Sequence, residues 1–277
     1  MKLGYPTHPR RDVLDEIRWI ADQGFDFVDL FLEPDRGDLC IVDAAAIKAL
    51  LAERKLGVVG HTAWYLPIGS PLEQLRSAAV QVAQRYLEVF AAIECKKVTI
   101  HAHWPPSLFT DEEGIAFQTE SLRHIIGLAS NLGIGIIYEP VGMHQESVEN
   151  LTRILRLNPE MGFHLDIGHF NLNGRWPGDF AKAFADRLEH VHLHDNDGRS
   201  DLHLPPGAGK IDWNRLIPEL KSVYDGTITL EVFSHEREYI TLARRLILER
   251  WNRASEPAEP PKPPAKKAPP RTPRWGR

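Results

Sequence analysis

Val191-His192-Leu193-His194-Asp195-Asn196-Asp197, followed by Asp201-Leu202-His203-Leu204-Pro205-Pro206-Gly207, reads as an apolar, imidazole-bearing strand that runs into an acid-rich loop. Alternation of Val and Leu with His is the period of two expected of a strand. The loop repeats the Asp-x-His theme before a helical pattern begins at Trp213. Histidines and carboxylates buried without partners are costly to desolvate, so such a density of them calls for pairing or for a cation. The partners must come from elsewhere in the chain.

The same strand–loop–helix unit recurs along the sequence. Strands are expected at 1–5, 25–33, 57–61, 97–101, 134–139, 162–166, 188–194 and 227–233. Helices are expected at 12–24, 43–56, 71–92, 112–132, 147–157, 179–187, 213–223 and 238–251. The strands read as apolar segments of the kind buried on both faces. Eight strands alternating with eight helices predict an α/β fold, a closed (β/α)8 TIM barrel forming a single domain over residues 1–254, and the length suits one. An open doubly wound sheet fits less well, because no Gly-x-Gly-x-x-Gly loop follows the first strand. From Ser255 onward there are eight prolines in 23 residues, which predicts an extended, disordered Pro/Lys-rich tail over 255–277.

That tail also skews the charge. It holds six of the 33 Lys/Arg and two of the 38 Asp/Glu, so the remainder carries a formal charge of −9 rather than −5. A body that acidic is a poor general binder of nucleic-acid backbones. Two cysteines make neither a disulfide framework nor a thiolate metal site, which suits a reducing compartment. No apolar run approaches the roughly 18 residues of a membrane span, and the N-terminus lacks a signal-peptide pattern. These features are read as cytoplasmic with no membrane partner.

In a barrel of this type the functional face lies at the carboxyl ends of the strands. Those positions hold Glu33, His61, His101, Glu139, Asp166, His192 and Glu231, and His169, Asp201 and His203 follow in the loops. Carboxylates gathered at one barrel mouth would repel one another unless cations sit among them. Imidazole plus carboxylate without thiolate suits Zn2+, Mn2+, Fe2+ or Co2+. His103, His190 and His194 share strand faces with these residues and could orient ligands. Trp64, Trp104, Phe170 and Trp176 lie just beyond candidate ligands, where aromatic faces could cover a substrate. Lys210 is a candidate contact for a substrate phosphate.

Taken in order, Gly60-His61, Val98-Thr99-Ile100-His101, Ile137-Tyr138-Glu139-Pro140, Leu165-Asp166-Ile167-Gly168-His169, His192-Leu193-His194-Asp195, Gly207-Ala208-Gly209-Lys210-Ile211-Asp212-Trp213 and Gly226-Thr227-Ile228-Thr229-Leu230-Glu231 resemble the xylose isomerase-like TIM-barrel superfamily over about residues 1–250. That superfamily contains sugar and sugar-phosphate isomerases and epimerases as well as the endonuclease IV group. Resemblance to its ketose 3-epimerases implies one divalent ion on Glu139, Asp166, His192 and Glu231. Glu139 and Glu231 would then be the catalytic proton-transfer pair, with His169 donating a hydrogen bond to a sugar or sugar-phosphate substrate.

Resemblance to the endonuclease IV group implies three ions: His61, His101 and Glu139 for the first; Glu139, Asp166, His192 and Glu231 for the second; His169, Asp201 and His203 for the third. Nucleic acid is a substrate only under that alternative, a metal-dependent phosphodiesterase. The epimerases' substrate-gripping acid and arginine have no clean counterpart here, with only Gln145 or Glu146 and Arg199 nearby. Trp64 stands where the repair enzymes carry a tyrosine. The expectation is a metal-dependent isomerase or epimerase holding one to three divalent ions, with homo-oligomerisation left open.

Overall fold

The inner and outer faces of the strands differ sharply, and this difference positions everything else. A computed structural model of the protein describes residues 1–254, so the expected tail lies outside the described residues. The strands are β1 (Lys2–Pro6), β2 (Phe27–Phe31), β3 (Gly57–His61), β4 (Lys97–His101), β5 (Gly135–Glu139), β6 (Gly162–Asp166), β7 (Leu188–Leu193) and β8 (Thr227–Leu230). Each pairs in parallel with the next, and β1 pairs with β8 to close the barrel. It is a TIM barrel. The helices are α1 (Val13–Asp22), α2 (Ala44–Arg54), α3 (Glu73–Ala92), α4 (Asp111–Asn131), α5 (Val148–Leu157), α6 (Ile167–Asn171), α7 (Pro177–Ala183), α8 (Trp213–Lys221) and α9 (Arg237–Arg253). Among the described residues no helix is long and apolar enough to cross a membrane.

Local chemistry sets the boundaries. Asp12, Asp43 and Ser147 accept backbone N–H bonds as N-caps of α1, α2 and α5, and Thr110 with Glu113 forms a capping box on α4. The expected helices at 12–24, 43–56 and 147–157 therefore begin one residue later, with the cap outside. The short α6 directly after β6 was not expected; Asp166 caps it by accepting the N–H of His169.

Outward-facing Val28, Leu30, Val98, Ile100, Ile136, Tyr138, Leu165, Val191, Leu193, Ile228 and Leu230 join the helices in one large apolar core. The inner face is different. Phe27, Val59 and Ile137 form a separate small plug, and above them Asp29, Thr99, His164, His190 and Thr229 are fully buried. Contacts between non-neighbouring strands, such as His192 of β7 with Asp29 of β2, show that these side chains fill the lumen. The strands are thus buried on both faces as expected, yet apolar throughout only on the outer one.

Gly60 on β3 illustrates how tightly the outer layer is packed. A Cβ there would come within 2.7 Å of the Phe90 ring on α3. Gly60→Ala is expected to lower stability by about 1–3 kcal/mol through overpacking, read as a fall in Tm with the fold retained by circular dichroism.

Candidate metal centre

Register brings the strand ends together. His101 pairs with Glu139 across β4–β5, Asp166 with His192 across β6–β7, and Glu231, one residue past β8, donates its N–H to Leu193. His192 is the hub. Its Nδ1 lies 3.0 Å from Glu231 Oε2, 3.6 Å from Glu139 Oε1 and 3.7 Å from Asp166 Oδ2. Asp166 Oδ2 is buried and has no hydrogen-bond partner among the described residues.

Two further groups adjoin this one. His61 Nε2 and His101 Nε2 lie 3.3 and 3.2 Å from Glu139 Oε2. On the other side, Asp201 Oδ2 lies 3.3 Å from His169 Nε2 and 3.1 Å from His203 Nε2. Each of the nine residues named from the sequence as a candidate ligand is therefore within reach of at least one other.

Ring orientation is set from outside. His61, His169 and His203 each donate Nδ1–H to a backbone carbonyl, those of Thr62, Pro140 and Glu231, at 2.9, 3.0 and 3.1 Å. His192 instead donates Nε2–H to Asp29 at 2.8 Å. In all four the other nitrogen faces the carboxylates and is left to take a proton or a cation, the arrangement that supports metal-ligating histidines. Three carboxylates around one imidazole lone pair and an orphaned buried carboxylate oxygen fit a divalent cation. These buried His, Asp and Glu groups could hold one or more such ions.

Without a cation, protons take its place. Burial alone would lower His203, but the Glu231 charge and the hydrogen bond with Asp201 push it up to about 9. His192 and His169 also lie well above the usual range, their desolvation outweighed by neighbouring carboxylates. His101 goes the other way, driven well down by burial and by His61. His203 further adopts a left-handed backbone with φ of 47°, uncommon for a residue with a side chain.

Above the cluster opens a cavity of about 510 Å³, walled in part by Glu33, His61, His101, Asp201, Glu231 and Trp64. Trp64 is exposed at its rim, and His169 also lines it. Trp104 is buried and donates its indole N–H to Glu146. Glu146 also accepts from the backbone of Val141 and Met143, so it braces the loop. Arg199 and Lys210 are exposed and do not line this cavity.

Sequence reading passed over two buried groups. Asp29 accepts from His192, His190 and Thr229, and against complete burial the two histidines hold its carboxyl far below the usual range. His164 Nδ1 lies 3.3 Å from Glu139 Oε2 and 3.1 Å from Thr99 Oγ1. An acid in the middle of Phe27-Val28-Asp29-Leu30-Phe31, in register with two inward phenylalanines, was the available signal. His194 also lies closer than expected, its Nε2 3.1 Å from Asp166 and 3.5 Å from Asp201.

The sequence profile of the xylose isomerase-like TIM barrel family matches residues 17–259. The chain belongs to that family. Fructoselysine 3-epimerase of Escherichia coli O157:H7 is 23% identical over 274 residues, covering 91% of this chain and 97% of that protein. An uncharacterized protein of Methanocaldococcus jannaschii is 27% identical over 206 residues, 64% of this chain and 68% of its own length. Among solved structures, a D-tagatose 3-epimerase-like protein superposes with a TM-score of 0.82 at 24% identity, covering 91% of this chain and 97% of that one. In this xylose isomerase-like barrel the candidate ligands sit at the strand ends, as the fold places functional residues.

Two measurements check the geometry. Asp29→Asn removes the charge that fixes the His192 ring and is expected to weaken divalent-ion binding by roughly 10- to 100-fold, read by competition with a chelator. For the metal-free protein, a His203 raised from about 6.5 unfolded to about 9 folded contributes stability that is complete below pH 6.5 and lost as pH rises through 9. Tm should therefore fall across that window in the presence of EDTA. With a saturating divalent ion, which competes with those protons, it should instead hold or rise.

Proposed function

We propose that the protein is a divalent-metal-dependent sugar or sugar-phosphate isomerase or epimerase that works by proton transfer next to a carbonyl. The convergence of Glu139 and Glu231 on His192 Nδ1, from β5 and from the end of β8, carries this reading. It places two carboxylates within one small volume below a cavity of sugar size. Kinship with a fructoselysine 3-epimerase supports it.

Glu139, Asp166, His192 and Glu231 would hold the ion. Bound there, a divalent cation such as Mn2+, Zn2+, Co2+ or Fe2+ supplies Lewis-acid polarisation of the substrate carbonyl. One of Glu139 and Glu231 takes the proton from the carbon beside that carbonyl, and the other returns a proton to the same or the adjacent carbon, so no net charge is gained. Glu231 reaches the cavity wall while Glu139 is almost wholly buried, so Glu231 is the group with direct access to substrate. His169 also lines the cavity and can hydrogen-bond a substrate hydroxyl.

The flanking groups His61–His101–Glu139 and His169–Asp201–His203 favour a second reading, a multinuclear phosphodiesterase, because a single-ion epimerase leaves them without a metal role. The acidic body argues against duplex DNA as its substrate.

Incubation of ketoses and ketose phosphates with metal-loaded protein in D2O should place deuterium on the carbon beside the carbonyl. Glu231→Gln should lower turnover by roughly 10²–10⁴-fold while leaving the fold intact. About one ion per chain by elemental analysis supports the epimerase. Two or three ions, together with nicking of an abasic oligonucleotide and no deuterium uptake, would replace it with the hydrolase.

A further inference from the structure

Beside the main cavity lies a smaller bay of about 230 Å³, lined by Tyr5, His8, Arg11, Phe233, Ser234 and His235. His8 and Phe233 line both spaces, so the two adjoin across a shared wall. The Phe233 ring stacks on His203 at 4.5 Å. A molecule extending past Phe233 thus has the candidate metal centre at one end and the bay at the other.

Carboxylates line only one of the two spaces. Glu33, Asp201 and Glu231 line the main cavity, whereas the bay is lined by a guanidinium and two imidazoles and by no carboxylate. Arg11 makes only a loose ion pair of 3.7 Å with Glu16, and its side chain donates no hydrogen bond among the described residues. Glu16 is held more closely by Arg237, so two guanidinium groups share one buried carboxylate and a positive charge is left over. His8 Nδ1 accepts the N–H of Arg10 at 3.1 Å, which leaves Nε2–H of the neutral ring as a donor. Ser234 Oγ accepts from Glu236 N, so its O–H is likewise free to donate. Tyr5 is already satisfied through Val232 O and only forms wall. A guanidinium with unused donors at a small concave site is suited to an oxyanion.

We propose that this bay is the subsite for an anionic terminal group on the substrate, a phosphate ester or a carboxylate, with Arg11 as its counter-ion and His8 and Ser234 as hydrogen-bond donors. It takes the role that the sequence suggested for Lys210, which is exposed and does not line the cavity. The identity of the substrate as a sugar rests on the epimerase reading; the anion preference of the bay does not.

The test uses metal-loaded protein with a ketose, its terminal phosphate ester and the corresponding terminal carboxylate. One anionic substrate should exceed the neutral ketose in kcat/KM, and which one does so identifies the source of the charge. Arg11→Gln should lower that preference by roughly 10- to 100-fold, chiefly through KM. His8→Ala, which removes an assigned donor at a half-buried position, should lower it a few-fold and guards against a folding defect in the first variant. Equal rates on neutral and anionic sugars, or an Arg11→Gln loss shared equally by both, overturns the proposal. If no sugar of any charge turns over, the epimerase reading falls, and calorimetric titration with inorganic phosphate still reads the bay. Millimolar binding that is lost in Arg11→Gln supports it, and absent or undiminished binding overturns it.

Discussion

Mutual repulsion among Glu139, Asp166 and Glu231 around the lone pair of His192 Nδ1 is the constraint on which the centre depends. Their oxygens lie 3.0–3.7 Å from that nitrogen, and the four residues come from β5, β6, β7 and the end of β8. A ring free to rotate could relieve the repulsion by turning its N–H inward. Asp29 prevents this, because it accepts the Nε2–H hydrogen bond on the far side. The lone pair therefore faces the carboxylates, and only a proton or a cation between them makes the cluster stable. The raised His192 shows the proton solution; the donor set describes the cation one.

Holding Asp29 in place has consequences for the whole barrel. A TIM barrel lumen is ordinarily filled by branched aliphatic side chains, but here the middle layer is Asp29, Thr99, His164, His190 and Thr229. Such a network is favourable only if nearly all its members are paired. Here Thr229 and His190 share Asp29 Oδ2 with His192, and His190 reaches Thr227 through its other nitrogen, while Asp29 Oδ1 and His164 Nε2 have no partner among the described residues. Apolar burial that drives folding consequently resides in the outer ring, where the strands meet the helices, while the lumen is given over to orientation.

Much of this was readable in the chain. Gly57–His61, Lys97–His101 and Gly162–Asp166 are bounded by turn signals and end on a ligand-type residue, so both the elements and their terminal side chains followed from pattern. Asp29 and His164 escaped because a mid-strand polar residue declares its face only once the register is known. The loop after β7 was harder still, since its course is set by one carboxylate. Asp195 accepts from the backbone of Asn196, Gly207 and Ile211 and from the Trp213 indole. Asp197 then turns the chain at Arg199 and Ser200. Together these bonds leave Arg199 and Lys210 on the surface and bring Asp201 and His203 inward, a choice that spacing alone does not encode.

Shared carboxylates bind the three groups of ligands into one electrostatic unit. Glu139 offers Oε2 to His61 and His101 and Oε1 toward His192. Asp201 offers Oδ2 to His169 and His203 and Oδ1 toward His194. A charge placed in one group changes the proton affinity of the next through the common carboxylate. Histidines in this mouth accordingly separate into raised and lowered sets: neighbouring carboxylates raise His61, His192 and His203 against their burial, whereas burial and the adjacent imidazoles prevail at His101. The depressed His101 is neutral and ready to coordinate at neutral pH, while His203 must first give up a proton. The His61–His101–Glu139 group thus combines one raised and one depressed imidazole, whereas both imidazoles beside Asp201 are raised, and the two flanks of the centre are chemically distinct although their residue types are alike.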